Sequence, residues 1–384
     1  VGFALLGAGA LFGAQALTRV ASSGHASYEP PPAPEIVRCA LRPLQLAPLP
    51  CESVLLLEPE TGTVLYEQNA DEKRAPASLV KMMLEIVIFD AIEQGELRMS
   101  DPVSTSANAS TMGGSQVYLK EHEVQTVEAL LDAVIIASAN DASMALAEHV
   151  AGSEEAFVKR MNVRARELGC RATTFANVHG LDLPRQARNV TSARDLGTIA
   201  AALVKHPHAL EVSSTWRKAF RGGEFWLDNT NKLLPSFEGL DGLKTGWTPC
   251  AGGCFVGTAE RDGVRLIGVV LAAPSGRGRF RVTGQLLEAG FAAKPHWIDV
   301  AAPGQVVDLA ESVQVTGDRS FQSATAWGRL RVLVEDGREG SWRLRPVPEE
   351  EVGRLREGDS LGSLDYRIDG NTLATLPARV PAAG

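Results

Sequence analysis

The chain has 384 residues, 45% of them hydrophobic, and a formal net charge of -8, which is enough apolar material for a large core and predicts two folded units. The acidic balance, with no Lys/Arg cluster of the kind that follows phosphates, excludes nucleic acid as a partner. Five cysteines leave one thiol over from any full pairing, and with no His-Glu-x-x-His pair and no histidines beside Cys250 and Cys254 the sequence predicts neither a metal site nor a cofactor.

The first element in chain order is Val1 to Leu17, an uncharged run rich in Ala, Gly and Leu at the short edge of a membrane span. It is expected to be a secretory signal with a small-residue cleavage step near Gly24-His25-Ala26, the alternative being an uncleaved N-terminal anchor. Either places the protein outside the cytoplasm. Residues 1–50 are therefore assigned to this segment and to the proline-rich linker that follows it, Tyr28 to Pro50.

Ser53 to Leu57 and Thr63 to Tyr66 read as a hairpin around Glu58-Pro59-Glu60-Thr61-Gly62. From Ser78 to Glu93 the apolar residues Leu79, Met82, Met83, Ile86 and Phe89 recur at helical spacing, and Thr126 to Ala137 repeats the pattern. Helix starts are predicted at Ser153, with Glu154 and Glu155 in the first turn, and at Ser192, with Asp195 at capping-box spacing. Cys254 to Thr258 and Val264 to Ala272 form a second hairpin across Arg261-Asp262-Gly263. Strands at both ends and helices between them predict an α+β unit over 51–292, an antiparallel sheet covered by helices. From Trp297 the helical period vanishes; Leu330, Val332 and Val334 alternate, and Asp369-Gly370-Asn371 marks a turn, so 296–384 is predicted to be a small all-β domain.

Three short elements carry the candidate chemistry: Ser78-Leu79-Val80-Lys81, Ser138-Ala139-Asn140 and Lys244-Thr245-Gly246. Alone each is weak, since Ser-x-x-Lys is expected about once by chance in a chain of this length. Placement strengthens them. Ser78 and Lys81 share one helix face, so the amine can reach the hydroxyl. Serine needs a neighbour to take its proton, and lysine can do so only if partly neutral, a state favoured by burial and by a second cation such as Lys244. Ser138 and Asn140 fall at the end of an amphipathic helix. Lys244, Thr245 and Gly246 open a strand edge, where glycine permits close approach of a substrate backbone.

On these residues the chain resembles the low-molecular-mass penicillin-binding proteins that act as D-alanyl-D-alanine carboxypeptidases. The likeness runs from Ser53 to Phe291, through Pro76 to Met83, Ser138 to Ala142, Phe175 to Leu181 and Asp241 to Thr248, and the β region is similar at Leu355 to Gly370. It implies a penicillin-binding, β-lactamase-like transpeptidase fold with a C-terminal β domain. It further implies that Ser78 attacks the carbonyl between two D-alanines, Lys81 takes its proton and Ser138 relays a proton to the leaving amine. Asn140 would hold Lys81 and a substrate amide, Lys244 and Thr245 would bind the terminal carboxylate with Arg279 nearby, and the amides of Ser78 and Trp247 would form an oxyanion hole. The implied partners are peptidoglycan stem peptides ending in D-Ala-D-Ala, with β-lactams as covalent inhibitors. Arg277, Arg279 and Arg281 also read as an ordinary arginine-rich surface.

Two strings depart from the family pattern: Arg188-Asn189-Val190-Thr191 stands where many relatives have His-Tyr-Ser/Thr, and Gly253 replaces a common aromatic. With no amphipathic helix after the β region, any membrane tether is expected at the N-terminal run. A class A β-lactamase would need a Glu-x-x-Leu-Asn loop, and the chain has no Leu-Asn dipeptide. A D,D-endopeptidase on crosslinks, using the same residues, and a non-catalytic penicillin- or wall-binding module stand as alternatives.

Overall fold

The structure is a computed structural model that describes residues 33–182, 187–316, 319–348 and 356–382. The apolar run at 1–17, the cleavage step at 24–26 and the first residues of the expected linker lie outside the described residues.

The chain enters through strand β1 (Glu35–Cys39), then forms the first expected hairpin as β2 (Ser53–Glu58) and β3 (Thr63–Gln68). A 3-10 turn at Ala77–Val80 leads into α1 (Lys81–Glu93). The short pieces β4 (Pro102–Ser104), α2 (Ala107–Ser110) and β5 (Val124–Thr126) precede the helices α3 (Val127–Ile136), α4 (Asn140–Ala151), α5 (Glu154–Glu167), α6 (Ala193–Leu203) and α7 (Pro207–Ser213). A small hairpin, β6 (Arg217–Phe220) and β7 (Phe225–Asp228), comes before the long strands β8 (Leu240–Thr248), β9 (Gly252–Arg261) and β10 (Val264–Ala273), and α8 (Gly276–Phe291) follows them. The helix starts are set by side chains: Thr126, Ser153, Ser192 and Ser275 each accept a bond from the backbone N–H three residues on, worth about 1 kcal/mol apiece.

The five long strands form one antiparallel sheet in the order β3-β2-β10-β9-β8. Leu55 and Leu57 point into a core shared with α1, α3, α4 and α6, while Val54 and Leu56 point to the opposite face, under Val282, Leu286 and Leu287 of α8. A strand covered on both faces has no polar side to show, which is why Val54–Leu57 is an unbroken apolar run rather than an alternating one. Helix α1 is buried at every position from Lys81 to Phe89, so it is a central helix and not the one-sided helix its apolar spacing predicts. This arrangement leaves β8 on the outer edge of the sheet, its free backbone groups beside the start of α1.

The C-terminal part contains β11 (His296–Ala301), β12 (Val306–Thr316), β13 (Arg319–Ala326), β14 (Arg329–Val334), β15 (Ser341–Pro346), β16 (Ser360–Ile368) and β17 (Asn371–Arg379). Strands β12-β13-β17-β16-β15 close into a barrel, while β11 and β14 pair outside it.

The proline-rich linker expected through residue 50 is corrected here. Residues Glu35–Cys39 pair in parallel with Arg329–Leu333 of β14, making the third strand of that sheet. The prolines flank β1 instead of interrupting it, and the pairing covers what would otherwise be an open edge. Beyond β1 the chain crosses to the large sheet: Ala40 N–H donates to Leu333 O at 2.8 Å, and Leu44 N–H to Leu65 O at 2.7 Å. Leu41, Trp297 and Leu333 join the apolar layer beneath α8. Residues 35–50 thus tie the β domain to the sheet that carries the site.

Candidate active site

The three sequence elements meet where α1 begins. Ala77, one residue before Ser78, holds a left-handed φ of 49°, and Ser138 holds one of 61°, conformations that cost a non-glycine residue about 1–3 kcal/mol and persist only where surrounding packing enforces them. The packing is visible at Gly180 (φ 85°), where an added Cβ would stand 2.1 Å from Ala77 O. Only glycine lets the 179–180 backbone pass that close.

Lys81 is fully buried and its Nζ has three neighbours: Asn140 Oδ1 at 2.7 Å, His179 O at 2.8 Å and Ser78 Oγ at 3.2 Å. The first two can only accept. Asn140 is oriented by its Nδ2, which donates to Gly113 O at 2.6 Å, so its oxygen faces the amine. A neutral amine therefore spends both N–H bonds on Asn140 and His179, and its lone pair is left for the Ser78 hydroxyl proton. Burial first, then the charge of Lys244, push the Lys81 pKa well below its ordinary value, against the opposing pull of Glu85 and Asp141. This is the geometry a general base needs, and the shift runs in the direction such a base requires.

The supports are local. Asp141 accepts backbone bonds from Val117 at 3.1 Å and Leu119 at 3.0 Å, pinning the 113–119 loop to the start of α4. Asn177 Oδ1 accepts from Gly180 N–H at 2.7 Å and from Asn189 Nδ2 at 2.8 Å, while Asn189 Oδ1 accepts from Ala176 N–H at 2.7 Å. The departing string Arg188-Asn189-Val190-Thr191 thus helps hold the turn that presents the His179 carbonyl. The His179 ring is neutral: burial first, then Lys81, push its pKa down to about 4, and its Nδ1 accepts from Leu181 N–H at 3.0 Å.

Ser138 is buried and its Oγ has no hydrogen-bond partner among the described residues. Lys244 is buried on β8, its Nζ donating to Thr245 O at 3.4 Å, and Thr245 Oγ1 donates to Thr230 Oγ1 at 2.7 Å. Trp247 lies two residues on and is 59% exposed. Arg279 is half-buried and its Nη1 donates to Gly246 O at 2.6 Å, which brings a guanidinium against the strand edge. The other departure is also steric, because a Cβ at Gly253 would lie 2.8 Å from Ser275 O and no aromatic fits there.

Gly246 sets the distance between β8 and Ser78. A Cβ there would stand 2.9 Å from Pro76 O and 3.1 Å from both Ala77 Cβ and Ser78 N. Gly246→Ala is expected to push the strand away and slow β-lactam acylation by about tenfold or more, as small misplacements of reacting groups do. Stopped-flow acylation alongside the wild-type protein checks this, and an unchanged rate would show the strand gap to be unimportant.

Sequence reading missed four participants. The His179 carbonyl, a backbone group, leaves no signal in side-chain identity. Thr230 and Asp141 act through folded contacts. Glu85 alone had a visible signal, as an acid inside the apolar stretch Met82 to Phe89.

The family model described as D-alanyl-D-alanine carboxypeptidase matches residues 44–275. The D-alanyl-D-alanine carboxypeptidase DacF of Bacillus subtilis is 35% identical over 332 residues, covering 85% of this chain and 84% of that protein. Among solved structures, penicillin-binding protein 5 of Haemophilus influenzae matches 88% of this chain and 98% of its own with a TM-score of 0.70 at 28% identity. Penicillin-binding protein D2 of Listeria monocytogenes in its ampicillin-bound form matches 65% of this chain and 100% of its own, with a TM-score of 0.60 at 35% identity.

Proposed function

Since the chain belongs to the D-alanyl-D-alanine carboxypeptidase family, we propose that it removes the terminal D-alanine from peptidoglycan stem peptides through an acyl-enzyme on Ser78 and that β-lactams acylate the same oxygen. The reaction class is that of a serine D-alanyl-D-alanine carboxypeptidase. The observation that supports the residue assignment is the buried Lys81 amine, whose Nζ lies 2.7 Å from Asn140 Oδ1, 2.8 Å from His179 O and 3.2 Å from Ser78 Oγ.

In this reading Ser78 Oγ bonds to the carbonyl carbon between the two D-alanines as its proton passes to Lys81 Nζ. The developing oxyanion is met by the backbone amides of Ser78 and Trp247, an arrangement commonly worth 10²-fold or more in rate. The C–N bond then breaks, and Ser138 passes the proton from Lys81 to the departing amine, leaving a Ser78 ester and a neutral lysine. Water attacks the ester, its proton going to Lys81, and the released Ser78 oxygen recovers that proton. Lys244, Thr245 and Arg279 hold the substrate carboxylate at the β8 edge, and Asn140 binds a substrate amide while orienting Lys81. A stem-peptide substrate and the export signal expected from the sequence support a reaction outside the cytoplasm; a mature protein retained in the cytoplasm would contradict this reading.

The test is D-alanine release from diacetyl-L-Lys-D-Ala-D-Ala by protein that includes β1. Release is the expected result. Activity confined to crosslinked stem dimers would assign the chain to endopeptidases, and a stable penicillin adduct with no peptide turnover would assign it to a binding role.

A further inference from the structure

One hydroxyl pair at the site has its hydrogen pointing the wrong way for the proposed chemistry. Thr245 Oγ1 donates to Thr230 Oγ1 at 2.7 Å, so the single hydroxyl hydrogen of Thr245 is directed at a neighbour. A substrate carboxylate offers only acceptors. For Thr245 to hold one, its hydrogen has to turn away from Thr230, and two oxygens 2.7 Å apart are then left without a hydrogen between them unless Thr230 supplies its own. Thr230 has that hydrogen to give, because its Oγ1 makes no other hydrogen bond among the described residues.

A rigid segment puts Thr230 there. It follows β7 between Asn229 and Asn231, which are 3% and 1% exposed. Asn229 Nδ2 donates to Ser213 O at 3.0 Å and to Thr215 O at 2.8 Å, and Asn229 Oδ1 accepts from Asn231 N–H at 2.8 Å. Asn231 Oδ1 accepts in turn from Leu233 N–H at 3.1 Å. Thr230 N–H donates to Ile136 O at 3.2 Å, at the end of α3 and two residues before Ser138. The backbone is thus fixed on either side, while Thr230 itself is only half-buried. Packing alone does not call for an oxygen at this position, since valine has nearly the same shape.

We propose that Thr230 is a positioning residue for carboxylate recognition: with a substrate carboxylate at the β8 edge, Thr245 turns its hydrogen to the carboxylate and Thr230 reverses from acceptor to donor, giving its own hydrogen to Thr245 Oγ1. No proton is transferred; each O–H rotates about its Cβ–Oγ bond and the contact between the two oxygens is kept. A hydroxyl that accepts one hydrogen bond is a better donor for the next, because the two bonds polarise each other in the same direction. The effect is largest where the final acceptor is charged, since such bonds are roughly twice as strong as neutral ones. Without the Thr230 hydroxyl, Thr245 still reaches the carboxylate but loses both the donor behind it and the contact that fixes its rotamer. A ligand with no carboxylate leaves the pair as it stands and gains nothing from Thr230.

The inference rests on the carboxypeptidase reading, and its test separates the two. Second-order acylation rates are measured with benzylpenicillin and with its methyl ester, in which the carboxylate is blocked, on wild type, Thr230→Val and Thr230→Ser. Thr230→Val is expected to slow acylation by benzylpenicillin about three- to tenfold, as loss of one supporting hydrogen bond does, and to leave acylation by the ester within about twofold of wild type. Thr230→Ser, which keeps the hydroxyl, should restore most of the benzylpenicillin rate. In a Thr245→Val background the Thr230→Val change should add little to the loss, because the hydroxyl it supports is gone. A merely structural role slows both penicillins equally, and that result, or a benzylpenicillin rate that is unchanged or faster in Thr230→Val, overturns the proposal. So does a wild type that takes acid and ester at the same rate, since no carboxylate is then being held. Thr230→Ala carries the same expectation if the valine variant does not fold. Wild-type protein that neither acylates nor releases D-alanine sinks the carboxypeptidase reading itself, whereas an active wild type whose Thr230 variants treat the two penicillins alike sinks only the role of Thr230.

Discussion

Ser78→Ala is expected to form no covalent penicillin adduct and to release no D-alanine above background, with the melting temperature close to wild type. The substitution removes only the hydroxyl oxygen, whose contacts are Lys81 Nζ at 3.2 Å and His179 O at 3.4 Å, so little packing is lost. The lysine keeps its bonds to Asn140 and His179, and the left-handed Ala77 is untouched. In serine hydrolases, loss of the nucleophile alone costs on the order of 10⁶ in turnover, with the oxyanion hole and binding left to supply the residue. Intact-mass analysis after incubation with ampicillin gives the adduct directly. A penicillin-sized mass increase on Ser78→Ala would place the nucleophile elsewhere and undo the mechanism.

What the sequence made legible follows from what local pattern can encode. The hairpin β2-β3, the Ser153 and Ser192 helix starts and the Arg261-Asp262-Gly263 turn are local, so composition and capping residues sufficed. Ser78 and Lys81 were within reach because a helix places residues three apart on one face. Ser138, Asn140 and Lys244 could be joined to them only by resemblance, since no periodicity says that residues as far apart as Lys81 and Asn140, 59 positions, converge. The strand β1 was invisible for a related reason: its partner is β14, nearly 300 positions away, and prolines around it mimic a linker. Arg279 read equally well as surface, because the acceptor that draws it inward is a backbone carbonyl, Gly246 O. The parts lost to sequence reading are the ones made by main-chain groups and by long-range pairing.

Edge strand and central helix also explain how one site can be both rigid and open. Lys81, the proposed base, sits on α1, buried throughout its first nine residues, while Lys244 and Thr245, proposed to bind the substrate carboxylate, sit on β8, which has no strand on its outer side among the described residues. Proton transfer requires fixed distances in a water-poor setting, and the helix provides both. A peptide substrate needs unpaired backbone groups and room to lie alongside them, and the strand edge provides those.

Lys81→Met is the second substitution with a large expected effect, and it has two signatures. Acylation should fall by about 10²–10⁴-fold, the range that a positioned general base contributes, because Ser78 loses the acceptor for its proton while its own position is kept. The stability signature concerns pH. In the unfolded chain Lys81 titrates near its ordinary 10.5, and in the fold it is held well below that. Between the two values the unfolded state binds the extra proton, so folding releases it and stability rises with pH. Below the folded value both states are protonated and the penalty of burying the charge is carried in full; above 10.5 both are neutral and the penalty is gone. Wild type should therefore gain stability relative to Lys81→Met as pH rises through this window, by up to about 1.4 kcal/mol per pH unit. Denaturant unfolding of both proteins at several pH values between 7 and 10 measures the slope. A difference that stays flat, or falls, with rising pH would mean that Lys81 is folded as an ordinary ammonium, and the base would then have to be sought in another group.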